Sequence, residues 1–172
     1  MALGKNYDGQ NCALAKALEL LGERWTLLVV RDALYGVRRY GDFLAHLDIP
    51  RAVLSQRLHT LVEAGVLTKR RYQDSPAREE YVITAAGREL WPPVYMLGRW
   101  GERHAVTNEP WRLFFHQPCD APLDRYAACT ACGAHTEPDQ VEVRPGPGLP
   151  NDREDPVTVA MRIPHRMLTP LP

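Results

Sequence analysis

GDFLAHLDIPRAVLSQR, residues 41–57, reads as a short helix, a tight turn and a second helix. Phe43, Leu44 and Leu47 recur at helical spacing, which gives residues 42–46 an apolar inner face. Asp48-Ile49-Pro50 breaks that helix, because the residue before a proline is pushed out of the helical region while proline suits the start of a new helix. From Arg51 onward Val53, Leu54, Leu58, Leu61 and Val62 form an inward stripe, and Arg51, Ser55, Gln56, His59 and Thr60 fall mainly off it. Two short helices joined this way make a helix-turn-helix, whose second helix enters the major groove of DNA. The bland alternative is a helical hairpin with a solvated face.

The following residues weigh against that alternative. VLTKRRYQ (66–73), a turn at residues 74–77 and REEYVIT (78–84) read as two strands joined by a tight turn. A hairpin directly after a recognition helix is a wing, and Lys69, Arg70, Arg71 and Arg78 crowd it. Before the helix-turn-helix, Arg38 and Arg39 stand in a short linker within reach of phosphates. The chain of 172 residues has no net charge, but residues 24–78 carry ten Lys/Arg against five Asp/Glu. A local positive surface on a neutral protein suits a DNA reader, since phosphate contacts supply much of the affinity. The candidate DNA-binding residues are therefore Arg38, Arg39, Arg51, Ser55, Gln56, Arg57, Lys69, Arg70, Arg71 and Arg78. Arginine suits guanine and glutamine suits adenine in the major groove, while the wing cations suit phosphate or the minor groove.

Around this centre the chain divides into four parts. Residues 1–11 are polar and expected to be loosely ordered. Residues 12–108 form the winged helix-turn-helix with its dimerisation helix. A helix over CALAKALELLG ends at Gly22, and RWTLLVVRDALY (24–35), apolar nearly all round, makes a second one fit for a core or an interface. Thr84 caps a long helix that Pro92-Pro93 interrupt and that continues to His104. Its Tyr95, Met96, Leu97 and Trp100, with the first helix, read as a dimer face, and dimerisation would set two recognition helices one DNA turn apart. A ligand pocket lined by Trp91, Tyr95 and Trp100 is the competing use of the same residues. The fold expected is α+β, mainly α.

CALAKALELLGERWTLLVVRDALYGVRRYGDF, LSQRLHTLVEAGVL, EYVITAAGREL and GRWGERH together closely resemble the HxlR family of bacterial winged-helix regulators, relatives of the MarR group. The resemblance covers residues 12–104. It implies a homodimeric transcription factor, most often a repressor, bound to a double-stranded operator and in some cases answering a small-molecule effector or an electrophile. Paired prolines in the long helix depart from the family pattern. Cys12 stands where some HxlR-type regulators that resemble this chain place a redox-sensing thiol, and a helix N-terminus favours the thiolate.

Residues 109–145 form a separate small module. His116-x2-Cys119, nine residues, then Cys129-x2-Cys132 gives two knuckles whose side chains converge on one metal. His135 competes with His116 as the fourth ligand, and His116 is preferred because it completes the second knuckle. Structural zinc would supply much of the folding energy of so small a module. It looks like the zinc-ribbon-type tails of some actinobacterial HxlR-like proteins. Free thiols or a redox dithiol at Cys129-Cys132 are the other readings. Residues 146–172 close the chain; seven prolines follow Val143, a composition that favours extended or disordered chain, with residues 157–163 as a possible added strand.

No 18-residue apolar run and no signal-peptide core are found, so a cytoplasmic protein away from membranes is expected. No glycine-rich phosphate loop or H-E-x-x-H motif points to an enzyme. The rival function is a zinc-dependent or redox-active protein that uses its winged helix as a protein-interaction scaffold.

Overall fold

The structure, a computed structural model, describes Tyr7, residues 9–150 and residues 152–171. Of the N-terminal segment 1–11, residues 1–6 and 8 therefore lie outside the described residues. Helix α1 (Ala13–Leu21) ends at Gly22, and Trp25 in the left-handed region (φ 81°) sets the start of α2 (Thr26–Tyr35), two residues later than its apolar pattern predicts. Helix α2 is buried nearly all round, with Val29, Val30, Ala33 and Leu34 in the core.

Helix α3 (Tyr40–Leu47) closes on Asp48 in the left-handed region, the buried Ile49 fills the turn, and Pro50 precedes α4 (Arg51–Glu63). Leu54, Leu58 and Leu61 of α4 have no exposure, which fixes the rotation of the helix and turns Arg51, Ser55, Gln56 and His59 outward. Strands β1 (Leu67–Asp74) and β2 (Ala77–Ile83) pair antiparallel as the wing, and the Tyr81 N–H donates to Arg38 O (2.8 Å), tying the linker before α3 to the hairpin.

Thr84 caps α5 (Ala85–Arg88) by accepting from the Gly87 N–H (3.1 Å). The helix that follows is separate: α6 (Trp91–His104) carries Pro92 and Pro93 in its first turn. There the missing N–H groups have no intrahelical partner to lose, so the prolines start a helix instead of kinking one.

The C-terminal third is built onto this domain. Strands β3 (Arg112–His116), β4 (Ala121–Pro122), β5 (Val141–Pro145) and β6 (His165–Arg166) make an antiparallel sheet in the order β4-β3-β5-β6. The proline-rich tail, expected to be extended or disordered, is folded over its described residues. Residues 157–163 supply no strand: they fall in and after helix α7 (Pro156–Ala160), which packs on α3. Asp155 accepts from the Thr158 N–H (2.9 Å) and proline follows it, start signals that outweigh the β-branched composition. Beyond α7 the chain straps the end of α2: Leu168 N–H donates to Leu34 O (3.0 Å) and Leu171 N–H to Gly36 O (3.1 Å). Gly36 has a φ of +102°, and a Cβ there would lie 1.8 Å from Thr169 O, so only glycine fits beneath the strap.

Val157, Met161, Met167 and Leu171 are buried in the same apolar cluster as Val29, Phe43, Leu54 and Trp91, so the core runs on past residue 108 into both C-terminal segments. Among the described residues no helix is long and apolar enough to cross a membrane.

Candidate nucleic-acid interface and metal centre

Arg51, Ser55 and Gln56 come together as an exposed row on the first two turns of α4. The Tyr40 hydroxyl donates to Arg51 O (3.0 Å) and lies 3.1 Å from Ser55 Oγ. Its single hydrogen is used by the carbonyl, so Ser55 donates to Tyr40 and presents lone pairs outward. Nothing in the sequence marks Tyr40 for this task. Arg57 is placed elsewhere: its Nε donates to Arg24 O (3.2 Å) and its NH2 pairs with Glu23 (3.0 Å), pinning α4 to the loop before α2.

The other cations divide by partner. Arg39 is exposed and stacks over Tyr72 (5.4 Å). Arg38 and Arg70 share the buried Glu80, and Arg38 also donates to Leu168 O (3.3 Å). Lys69 pairs with Glu79 (3.3 Å) and Arg71 lies 3.9 Å from Asp74, both on the wing surface. Exposed pairs of this kind are weak and easily exchanged for phosphate. Arg51 and Arg78 have no carboxylate partner among the described residues, one on the recognition helix and one by the wing turn.

The second site gathers His116, Cys119, Cys129 and Cys132, whose ligating atoms all lie within 4.8 Å of one another. His116 ends β3 and Cys119 closes the 3-10 turn Gln117–Cys119. Cys129 and Cys132 flank a tight turn in which the Gly133 N–H, at φ 71°, donates to Cys129 O (2.8 Å). His116 Nδ1 is 3.6 Å from Cys132 Sγ; His135 is exposed and outside the cluster. A tetrahedral site with Zn–S of about 2.3 Å sets its sulfurs roughly 3.8 Å apart, so this three-sulfur, one-nitrogen set fits a thiophilic metal with little movement. The electrostatics agree. Burial opposes the Cys129 thiolate, but the N–H groups of Cys132 and Ala131 aim at its sulfur and bring it down to about 6. Hydrogen bonding to Cys132, with burial, pushes Cys119 up to about 11. Within the cluster the surrounding N–H groups therefore favour the thiolate at Cys129, and a bound metal would require the other thiols to lose their protons as well.

Two aromatic residues of α6 anchor this module. Trp91 donates from Nε1 to Thr136 O (3.1 Å), and Tyr95 donates from its hydroxyl to Asp124 O (2.8 Å). Left unpaired, the buried indole N–H would cost about 1–3 kcal/mol. Tyr95, read from sequence as part of a dimer face, therefore faces inward, where burial pushes it up to about 12. Met96, Leu97 and Trp100 remain exposed on the other side of α6, as do Leu14, Leu18 and Leu28 on α1 and α2.

Behind the helix-turn-helix lies Asp32 of α2, with no exposure. Its carboxylate pairs with Arg31 (2.7 Å) and with His46 Nδ1 of α3 (2.7 Å). Burial works against the charge, yet Arg31 and His46 overcome it and hold the carboxyl below its ordinary value near 3.8. Cys12 is exposed at the N-cap of α1 and takes no part in the four-residue cluster.

A helix-turn-helix followed at once by a charged hairpin defines a winged-helix DNA-binding protein. The profile of the HxlR-like helix-turn-helix family matches residues 20–109. The chain is 40% identical over 148 residues to the HTH-type transcriptional regulators Rv3095 of Mycobacterium tuberculosis and Mb3122 of Mycobacterium bovis, covering 86% of this chain and 92% of each relative. Only 109 residues precede Pro110, so that likeness extends well into the C-terminal module. Among solved structures, the transcription factor PA1607 is 30% identical with a TM-score of 0.63, covering 75% of this chain and 91% of its own. The redox regulator HypR in its oxidised form is 26% identical with a TM-score of 0.51, covering 56% and 100%. The chain belongs to the HxlR-like helix-turn-helix family and is a transcriptional regulator, not an enzyme.

Replacing Asp32 by Asn should destabilise the fold by about 3 kcal/mol near neutral pH, because a buried pair loses its charged centre. A carboxyl held below its unfolded value contributes stability above that value and loses it as pH falls through the folded one. Urea unfolding should therefore show the gap between wild type and D32N narrowing below pH ~3.8; a gap independent of pH would contradict the assignment.

Proposed function

We propose that this chain is a homodimeric, cytoplasmic repressor that reads a double-stranded operator through α4 and grips its backbone or minor groove with the wing. The observation that carries the reading is the exposed row Arg51, Ser55 and Gln56, held in register by Tyr40 behind it and by the ion pair of Arg57 beneath it. Arg57 then acts as a positioning residue, while Arg39, Lys69, Arg70, Arg71 and Arg78 face phosphate, and Arg38 supports them through Glu80. Dimerisation is supported by the exposed apolar residues Leu14, Leu18, Leu97 and Trp100, the last 54% exposed on α6. A self-complementary pairing there would set two recognition helices about 34–36 Å apart.

We further propose structural zinc in the His116, Cys119, Cys129 and Cys132 cluster. When bound, zinc would lock the two knuckles together and so fix the loops that Trp91 and Tyr95 hold. In this arrangement 12–108 is the reading unit, 109–145 the metal module, and 146–172 the strap that fastens one to the other. Thiol control through Cys12 is a second reading, favoured by its exposed place at the start of α1 and by the likeness to the redox regulator HypR.

Fluorescence anisotropy with the chain's own upstream DNA tests the interface. Gln56→Ala should lose roughly tenfold in affinity for the operator but little for random duplex, whereas Arg78→Ala should weaken both and lower the salt slope by about one. Equal losses on both duplexes for Gln56→Ala would remove it from base reading. Metal analysis should find about one zinc per chain, lost in Cys132→Ser together with a lower unfolding temperature; a stable, stoichiometrically metal-free protein that takes up no zinc would overturn the site. Cys12→Ser should abolish any oxidant-driven release from DNA, and a variant that still responds excludes Cys12.

A further inference from the structure

A cavity of about 390 Å³ lies where α2, α6 and the C-terminal module meet. That volume falls in the range of small-molecule sites. Trp91 and Tyr95 line it as the sequence predicts; Trp100 does not, and stacks on His104 instead. Phe114 completes an aromatic wall, edge-on to Tyr95 at 5.2 Å.

The polar lining is lopsided. Four arginines line the cavity: Arg31, Arg99, Arg112 and Arg153. Three have carboxylate partners, in Asp32, Glu102 and Asp155. Arg112 is nine-tenths buried, donates to Met161 O (3.0 Å), and has no carboxylate partner among the described residues. Of the lining carboxylates, Glu102 is taken by Arg99 and Glu109 is exposed. Beside Arg112 stands Tyr35, 7% exposed, whose hydroxyl makes no hydrogen bond among the described residues. Among the described residues Arg112 thus meets its buried surroundings with one carbonyl and no direct carboxylate, and the Tyr35 hydroxyl beside it is open to solvent and has no protein partner. Burial pulls Arg112 below the ordinary arginine value, helped by the Arg31 charge and opposed by the more distant Asp32 and Asp155.

We infer that this cavity is an effector site for a small monocarboxylate with an aromatic or apolar body, its carboxylate received by Arg112 and Tyr35 and its body lying against Trp91, Tyr95 and Phe114. The bland reading of Arg112, a cap for the Met161 carbonyl, accounts for one of its N–H groups and leaves the Tyr35 hydroxyl without a protein partner among the described residues. The effector role rests on the regulator reading above, and the structure supplies a route. Arg31 lines the cavity and holds Asp32, which holds His46 of α3; Arg153 lines it too and donates to His46 O (2.7 Å). A carboxylate that draws Arg31 from Asp32 would loosen the first helix of the helix-turn-helix and lower operator affinity.

Calorimetric titration of the full-length, metal-loaded protein with 2-naphthoate, phenylacetate and octanoate tests the site without DNA. At least one acid should bind saturably, one per chain, and at least tenfold tighter than its neutral amide. Tyr35→Phe should weaken the acid several-fold and Arg112→Gln at least tenfold, with the amide unaffected. The acid-against-amide comparison uses only the wild-type chain, so it stands even if Arg112→Gln fails to fold. No saturable binding by any acid, or equal affinity for acid and amide, overturns the site. A bound acid that leaves operator affinity unchanged overturns the effector role. Absence of DNA binding by the ligand-free protein would fault the regulator reading and leave the titration result untouched.

Discussion

A carboxylate with no exposure to water organises this molecule. Asp32 sits at the centre of α2, and its partners come from two places: Arg31 from its own helix, His46 from the first helix of the helix-turn-helix. Two charges removed from water are favourable only when geometry and hydrogen bonding are good, and a poorly placed α3 would leave Asp32 uncompensated. The pairing therefore specifies how α3 meets α2, and through Ile49 and the Leu54, Leu58 and Leu61 stripe it sets the face that α4 turns outward. The face that α4 turns outward is a consequence of a buried ion pair and three leucines.

The C-terminal third is fastened by hydrogen bonds at many points. Trp91 and Tyr95 hold the cysteine-bearing loops to α6, α7 packs on α3, and the strap from His165 to Leu171 bonds to the last carbonyls of α2. Arg153 and Arg38 reach across the junction to backbone carbonyls on the other side. Through these contacts any rearrangement of the C-terminal third has a direct mechanical path to the helix-turn-helix.

The sequence was most legible where local chemistry sets local structure. Pro50 after a short apolar helix, leucines at i, i+4 and i+8, and a charged hairpin sufficed for the winged helix, and the two-residue gaps brought His116, Cys119, Cys129 and Cys132 into one cluster. What stayed hidden depends on distant partners. A proline-rich tail looks disordered until Leu34 and Gly36 offer it carbonyls and Met161, Met167 and Leu171 find a core. Arg57 looks like a base reader until Glu23, 34 residues away, claims it. The Pro92-Pro93 pair looks like a kink because nothing local shows that the preceding helix has already ended at Arg88. The sequence offers Trp91 and Tyr95 as pocket residues, but nothing local shows that α2 and β3 bring Arg31, Arg112 and Phe114 to the same cavity.

Dimethyl sulfate protection on the operator tests the central claim most directly, since it reports guanine N7 in the major groove base by base. Two clusters of protection about one helical turn apart on one face of the duplex are predicted, with the Arg51→Ala protein losing guanine contacts within each cluster and keeping the spacing. Uniform, sequence-independent protection, or none at low salt, would contradict a pair of recognition helices presented by this fold.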